Sequence, residues 1–197
     1  MQPAALGFRV HSGWTALVAV SLDGDAPQVL LRRRTQLVGC FTYEFRQPYH
    51  TAEKRPLAEA AAVIAQAESE ATKLACEAIE AAERDLQRIR CKLSSCAMLL
   101  ASGRPLPDLT GILASHALIH AAEGELFRNA VLNASRSRGV AAFTLRERAL
   151  LEVATKSLRL APDELTRSLS LLGAGLGPPW SQDEKFSALV AWLALLS

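Results

Sequence analysis

The sequence predicts an α/β protein in which a mixed β-sheet begins with a β-hairpin and carries helices packed on it. Residues 8–38 are rich in β-branched and aromatic residues and contain the turn sequence DGDAP at 23–27. Residues 57–88 contain no glycine or proline and consist mainly of good helix formers. From residue 92 onward, strand-like segments alternate with helical ones. Strand–helix–strand connections produce parallel strand pairing, so the sheet combines both directions.

The first part of the chain predicts the hairpin. We expect strands at residues 8–22 and 28–38 to pair antiparallel, because Asp23 and Gly24 supply turn chemistry between them. A third extended segment is predicted through CFTYEFRQPYH at 40–50, with Pro48 marking its end.

A long helix is predicted from about residue 56 to about residue 89, which corresponds to a length of roughly 50 Å. Between Glu59 and Asp85 it carries seven acidic residues and two basic ones, Lys73 and Arg84. One interpretation is a solvated acidic face with alanines opposite it. The other is a coiled-coil face that joins two copies of the chain in a homodimer.

Shorter elements complete a single domain over residues 1–197. Segment 92–102 predicts a buried strand, and segment 140–145 predicts a short strand in the same sheet. Further helices are predicted from about 111 or 115 to 138, and at 146–158, 162–173 and 182–196.

Composition excludes several classes of protein. Half of the residues are hydrophobic, which supports a sizeable core, and the net charge of +2 does not by itself indicate a nucleic-acid or lipid partner. The N-terminus lacks a signal-peptide pattern, and the longest apolar run is too short to span a bilayer, so we expect a cytoplasmic protein with no membrane partner. The four cysteines lack metal or redox spacing and are expected to be reduced thiols.

The stretch SHALIHAAEGELFR at 115–128 contains the best candidate site. On a helix, His116, His120 and Glu123 lie within about 60° of one another, beside an apolar stripe. Histidines four residues apart can share a proton or bind a metal, although the glutamate of the HExxH motif is absent. Three interpretations remain open. The histidines have a structural role with their hydrogen bonds made to the sheet, they form a metal site, or they form a catalytic acid/base or binding site.

Two loops supply candidate ligand-binding residues. Ser102, Gly103 and Arg104 follow a predicted strand, where ligands gather in open α/β sheets and where a helix N-terminus favours an anion. His11 and Ser12 lie in an otherwise apolar stretch. We find no P-loop, dinucleotide fingerprint or nucleophile elbow, so no cofactor is predicted.

The order of elements resembles the ribonuclease H-like superfamily, and within it the RuvC-type Holliday-junction resolvases of bacteria. The resemblance lies in VHSGWTALVAVSLDGD at 10–25, SCAMLLAS at 95–102, the helix and strand of 116–145, and WSQDEKFSALVAWLAL at 180–195. It implies a first strand that enters a hairpin, a central strand that ends near the site, and a last helix with acids in its first turns.

At most of the positions where the resemblance places the catalytic acids of the family, this sequence has other residues. His11 stands where the family has its first-strand aspartate, Ala101 or Ser102 stands where it has a glutamate, and Asp183 alone matches a family acid. Two-metal nuclease chemistry needs several carboxylates around Mg²⁺, so we expect no tight Mg²⁺ or Mn²⁺ site.

The sequence therefore favours a non-catalytic binding or interaction module. One alternative is a hydrolase or nuclease-like enzyme that uses His116, His120 and Glu123. A second is nucleic-acid binding without catalysis, for which the arginines at 32–34 are candidates, although alternation sends Arg33 to the face opposite Arg32 and Arg34.

Overall fold

The computed structural model, which describes residues 1–101 and 105–197, has the predicted α/β fold. Its sheet has five strands in the order β3-β2-β1-β4-β5. Strands β1, β2 and β3 pair antiparallel, whereas β4 pairs parallel with both β1 and β5, so the sheet is mixed as predicted. The strands are β1 (Gln2–His11), β2 (Trp14–Asp23), β3 (Ala26–Gln36), β4 (Cys91–Leu100) and β5 (Ala141–Arg146).

Helices cover both faces of the sheet. The described helices are α1 (Tyr43–Arg46), α2 (Pro48–Ala52), α3 (Leu57–Arg88), α4 (Leu109–Leu113), α5 (His116–Ser137), α6 (Leu150–Leu158), α7 (Pro162–Leu172) and α8 (Gln182–Ala194). The long helix α3 has nearly the predicted bounds, and the predicted helix that begins near 111 or 115 is divided into α4 and α5. Asp108 caps α4 by accepting a hydrogen bond from the Gly111 N–H.

The prediction of one strand over residues 8–22 is wrong, because the chain turns at Ser12 and Gly13. His11 pairs with Trp14 across a two-residue turn that separates β1 from β2. Gly13 has φ of +81°, a conformation that residues with a β-carbon rarely adopt. A continuous run of strand-forming residues on both sides conceals this turn in the sequence.

The extended segment predicted at 40–50 is also wrong, because this stretch forms α1 and α2. Pro48 occupies the first helical position of α2, where its missing N–H costs nothing. The next two N–H groups, of Tyr49 and His50, donate to the carboxylate of Glu123 on α5. A side chain far along the chain therefore supplies the cap that the local sequence lacks.

Alternation along the strands divides the core into two clusters. Leu6 and Phe8 of β1 face α3 and α5, and they pack in one cluster with Ile79 and Phe127. The neighbouring side chain of Ala5 points to the opposite face, against α6, α7 and α8. Within the described ranges no helix is both long enough and apolar enough to cross a membrane. The homodimer through α3 stays a prediction.

Helix α8 approaches the sheet closely at Gly7. A β-carbon at Gly7 would overlap the backbone carbonyl oxygen of Ser187 on α8, so Gly7→Ala forces the helix away from the sheet. Overpacking of this kind typically costs about 1–3 kcal/mol, and more where backbone must move. Urea denaturation is expected to show at least this loss in the free energy of unfolding. Gly175→Ala is the matched control, since no atom lies within 4 Å of that β-carbon, and an equal loss there would contradict the prediction.

The four cysteines are free thiols with unequal access. Cys40 is exposed, whereas burial raises the pKa of the Cys96 thiol to about 11. Iodoacetamide at pH about 8 reacts with thiolates, so it is expected to modify Cys40 and spare Cys96 in the folded protein. Mass spectrometry of peptides checks this result. Rapid labelling of Cys96 without denaturant would show that the core on this face of the sheet is open.

Candidate functional site

Helix α5 presents His116 and His120 on its solvent side, as their spacing predicts. Both residues are exposed, and their Nε2 atoms lie 3.1 Å apart. Their ring centroids are 4.5 Å apart with the ring planes nearly perpendicular. The two imidazoles therefore point at one common region of space.

A third histidine joins them, which the sequence analysis did not include. His50 on α2 packs its ring edge against both others, with centroid distances of 5.3 Å to His116 and 4.7 Å to His120. Its side chain is only 9% exposed. We call His50, His116 and His120 the histidine cluster. One nitrogen from each ring lies within 4.8 Å of the other two, so the cluster can hold a cation.

Glu123 lies beneath the cluster rather than on its surface, with a side chain that is 2% exposed. Its Oε1 accepts hydrogen bonds from the N–H groups of Tyr49, at 2.8 Å, and His50, at 3.1 Å. His50 Nδ1 lies 3.3 Å from the same oxygen. Burial raises the pKa of Glu123, although the hydrogen bonds from α2 oppose that shift. These contacts give Glu123 the role of positioning His50 and α2.

A second polar cluster lies where β1 ends and α8 begins. Arg9 Nη1 lies 2.5 Å from Asp183 Oδ1, and Arg9 Nη2 lies 2.7 Å from Glu147 Oε1. His11 Nε2 lies 2.9 Å from the same Asp183 oxygen. Burial lowers the pKa of Arg9, but the hydrogen bonds and charges of the two carboxylates outweigh it and raise that pKa overall. Arg9 was not among the predicted site residues, although it is a charged residue in an apolar strand.

In this second cluster an arginine competes with any divalent cation for the two carboxylates. Mg²⁺ requires free oxygen ligands in near-octahedral geometry. Here both carboxylates are ion-paired to the guanidinium of Arg9, which brings its own positive charge to the position that a cation would need.

Aromatic and cationic side chains from β1, β2, β3 and the connection after β3 stack beside the turn between β1 and β2. The rings of His11 and Trp14 stack with centroids 4.4 Å apart, and the Arg34 guanidinium carbon lies 3.8 Å from the Trp14 centroid. Arg46 lies over the Phe41 ring at 4.5 Å, with Arg34 at 5.9 Å from the same ring. We call these five residues the aromatic–arginine surface.

The structure describes two of the three remaining sets of predicted residues, Ser12 and the arginines of β3. Ser12 lies in the turn, and its carbonyl accepts a hydrogen bond from Arg46 Nε at 3.3 Å. Ser102, Gly103 and Arg104 lie outside the described residues. The arginines of β3 alternate as predicted, since Arg33 pairs with Asp85 of α3 on one side of the sheet. On the other side, Arg32 donates to backbone carbonyls between α7 and α8.

No protein-family model matches the chain, and no curated protein matches its sequence. The structure is similar to RuvC of Thermus thermophilus in complex with a Holliday junction substrate, with a TM-score of 0.56 and 12% identity over 98% of this chain and 93% of that chain. It is also similar to another Thermus thermophilus RuvC structure, with a TM-score of 0.53 and 13% identity at the same coverage. At this identity the likeness shows a shared RuvC-like fold, and this confirms the predicted topology.

The role of Glu123 is testable through stability. Glu123→Ala leaves the buried N–H groups of Tyr49 and His50 without their acceptor, which costs about 1–3 kcal/mol. Glu123→Gln keeps a carbonyl oxygen and is expected to cost less. Glu125→Ala on the same helix is the control, because its side chain makes no hydrogen bond to the described residues. Thermal unfolding compares the three variants, and equal melting of Glu123→Ala and Glu125→Ala would refute the assigned role.

Proposed function

We propose that this chain binds nucleic acid through unpaired bases and does not cleave it. The observation that carries the proposal is the aromatic–arginine surface beside the exposed rings of segment 41–45. Phe41 is 37% exposed, Tyr43 is 61% exposed and Phe45 is 41% exposed. Aromatic rings accept bases by stacking, and adjacent guanidinium groups attract phosphates, which is how single strands are bound without sequence readout.

The cluster around Arg9 supports binding without cleavage. A nuclease that uses two metal ions needs carboxylates free to coordinate them. Arg9 instead holds Asp183 and Glu147 in ion pairs, and His11 contacts the same aspartate. Arg9 therefore offsets part of the negative charge that would attract a metal ion to these two carboxylates.

The shared fold supports the ligand class. One of the similar structures is RuvC bound to a Holliday junction substrate. That complex shows that the fold accommodates a branched nucleic acid in that protein. Exposed aromatic rings favour unpaired bases, such as those of single strands, over fully paired duplex.

The hydrolase alternative stays a prediction. His116 and His120 are exposed and available, but the carboxylate oxygen of Glu123 that faces α2 is already occupied by donors. A general acid or base must reach its substrate within hydrogen-bond distance, and Glu123 is too deeply buried to do so.

Fluorescence anisotropy with a labelled single strand, a matched duplex and a four-way junction tests the proposal. We expect the single strand to bind more tightly than the duplex, with affinity that falls as salt rises. Phe41→Ala removes a stacking ring, which is worth about 1–3 kcal/mol per base, or roughly 5- to 150-fold in affinity. Arg34→Gln removes a phosphate contact and is expected to lower the salt slope by about 0.7.

Arg84→Gln is the matched control, since Arg84 is exposed on α3 and ion-paired with Glu80, outside the aromatic–arginine surface. It makes the same change in charge and is expected to leave binding unchanged. Equal weakening by Arg34→Gln and Arg84→Gln would reduce the interaction to net charge. Mg²⁺-dependent cleavage of any of the labelled molecules would contradict the non-catalytic part of the proposal.

A further inference from the structure

The histidine cluster has the donor arrangement of a transition-metal site. His120 Nε2 and His116 Nε2 lie 3.1 Å apart. Tetrahedral zinc with bonds of about 2.0–2.1 Å to imidazole places its ligand nitrogens roughly 3.4 Å from one another. The third nitrogen, from His50, lies within 4.8 Å of both, and small rotations of the exposed rings of His116 and His120 shorten these separations.

Glu123 supplies the supporting contact that such sites use. Histidine ligands of metals usually bond through their other ring nitrogen to a carboxylate or carbonyl, and this contact fixes the ring orientation. His50 Nδ1 lies 3.3 Å from Glu123 Oε1, which leaves His50 Nε2 available as the metal ligand. Because the Glu123 carboxylate is itself held by two backbone N–H groups, the orientation of His50 is defined before any ion binds.

We propose that His50, His116 and His120 bind Zn²⁺, with Glu123 as the residue that positions His50. Three imidazole ligands and no carboxylate ligand favour a borderline ion such as Zn²⁺ over Mg²⁺ or Ca²⁺, which prefer oxygen. His116 and His120 are exposed, so the fourth coordination position faces solvent. Sites with three protein ligands and one open position accept water or a small anionic ligand there. No residue of this site belongs to the aromatic–arginine surface, so the zinc proposal does not rest on the proposed function.

Isothermal titration of the chelator-treated full chain with ZnCl₂ tests the proposal. We expect one Zn²⁺ per chain with micromolar or tighter affinity, and no heat from MgCl₂ at the same concentration. Since loss of a supporting contact alone costs roughly 10- to 100-fold, loss of a direct ligand in His116→Gln or His120→Gln is expected to cost at least about 100-fold. Both residues are exposed, so these variants are expected to melt like the unmodified metal-free chain.

Two control variants separate the cluster from other zinc ligands. His11→Gln changes the histidine that lies at the end of β1, and Cys40→Ser removes the exposed thiol. Both are expected to keep the zinc affinity of the unmodified chain. The absence of micromolar Zn²⁺ binding, or equal binding by the double variant His116→Gln/His120→Gln, would overturn the site. Loss of binding in Cys40→Ser would also overturn it.

The positioning role of Glu123 has its own readout. Glu123→Gln is expected to lower zinc affinity about 10- to 100-fold, as for other supporting carboxylates. If Glu123 served only the stability of α2, this variant would melt earlier without metal but bind Zn²⁺ with unchanged affinity, and the assignment would be wrong. Visible absorption of bound Co²⁺ reports the coordination geometry independently of affinity, and its bands are expected to change in Glu123→Gln.

Discussion

The buried carboxylate of Glu123 is the contact on which this end of the molecule depends. Helix α2 begins at Pro48, which has no N–H, so the N–H groups of Tyr49 and His50 are its first unsatisfied donors. Both donate to Glu123 Oε1, and a negative charge at a helix N-terminus is also favoured by the helix dipole. One side chain of α5 thereby caps α2 and ties the backbone of the buried Tyr49 to α5.

A second group of paired charges lies at the end of the sheet where β1 ends and α8 begins. The guanidinium of Arg9 on β1 lies between carboxylates from two other elements, Glu147 after β5 and Asp183 of α8. This joins three parts of the chain that are distant in sequence. The ion pairs with Arg9 also offset part of the negative charge on which metal-dependent cleavage relies. Our proposal of binding without cleavage draws on this contact.

The connection between β3 and α3 links the two proposed sites. It contributes Phe41 and Arg46 to the aromatic–arginine surface and His50 to the histidine cluster. Between them, the exposed ring of Tyr43 lies 6.3 Å from the ring of His50, measured between centroids. If a strand stacks on Phe41 and Tyr43, it lies beside the histidine cluster.

The sequence by itself determined the elements whose signals are local. Helix α3 follows from a long run of helix formers, the β2–β3 turn follows from DGDAP, and the pairing of His116 with His120 follows from helical spacing. Only the tertiary structure decided that residues 43–52 are helical, that Glu123 is buried, and that His50 and Arg9 join polar clusters. The physical reason is that these outcomes depend on partners far away in the sequence, as in the contact between His50 and Glu123 with a separation of 73 residues. Periodicity and propensity carry information about residues that are near in the sequence. A buried charge must be paired, and only the folded chain brings its partner next to it.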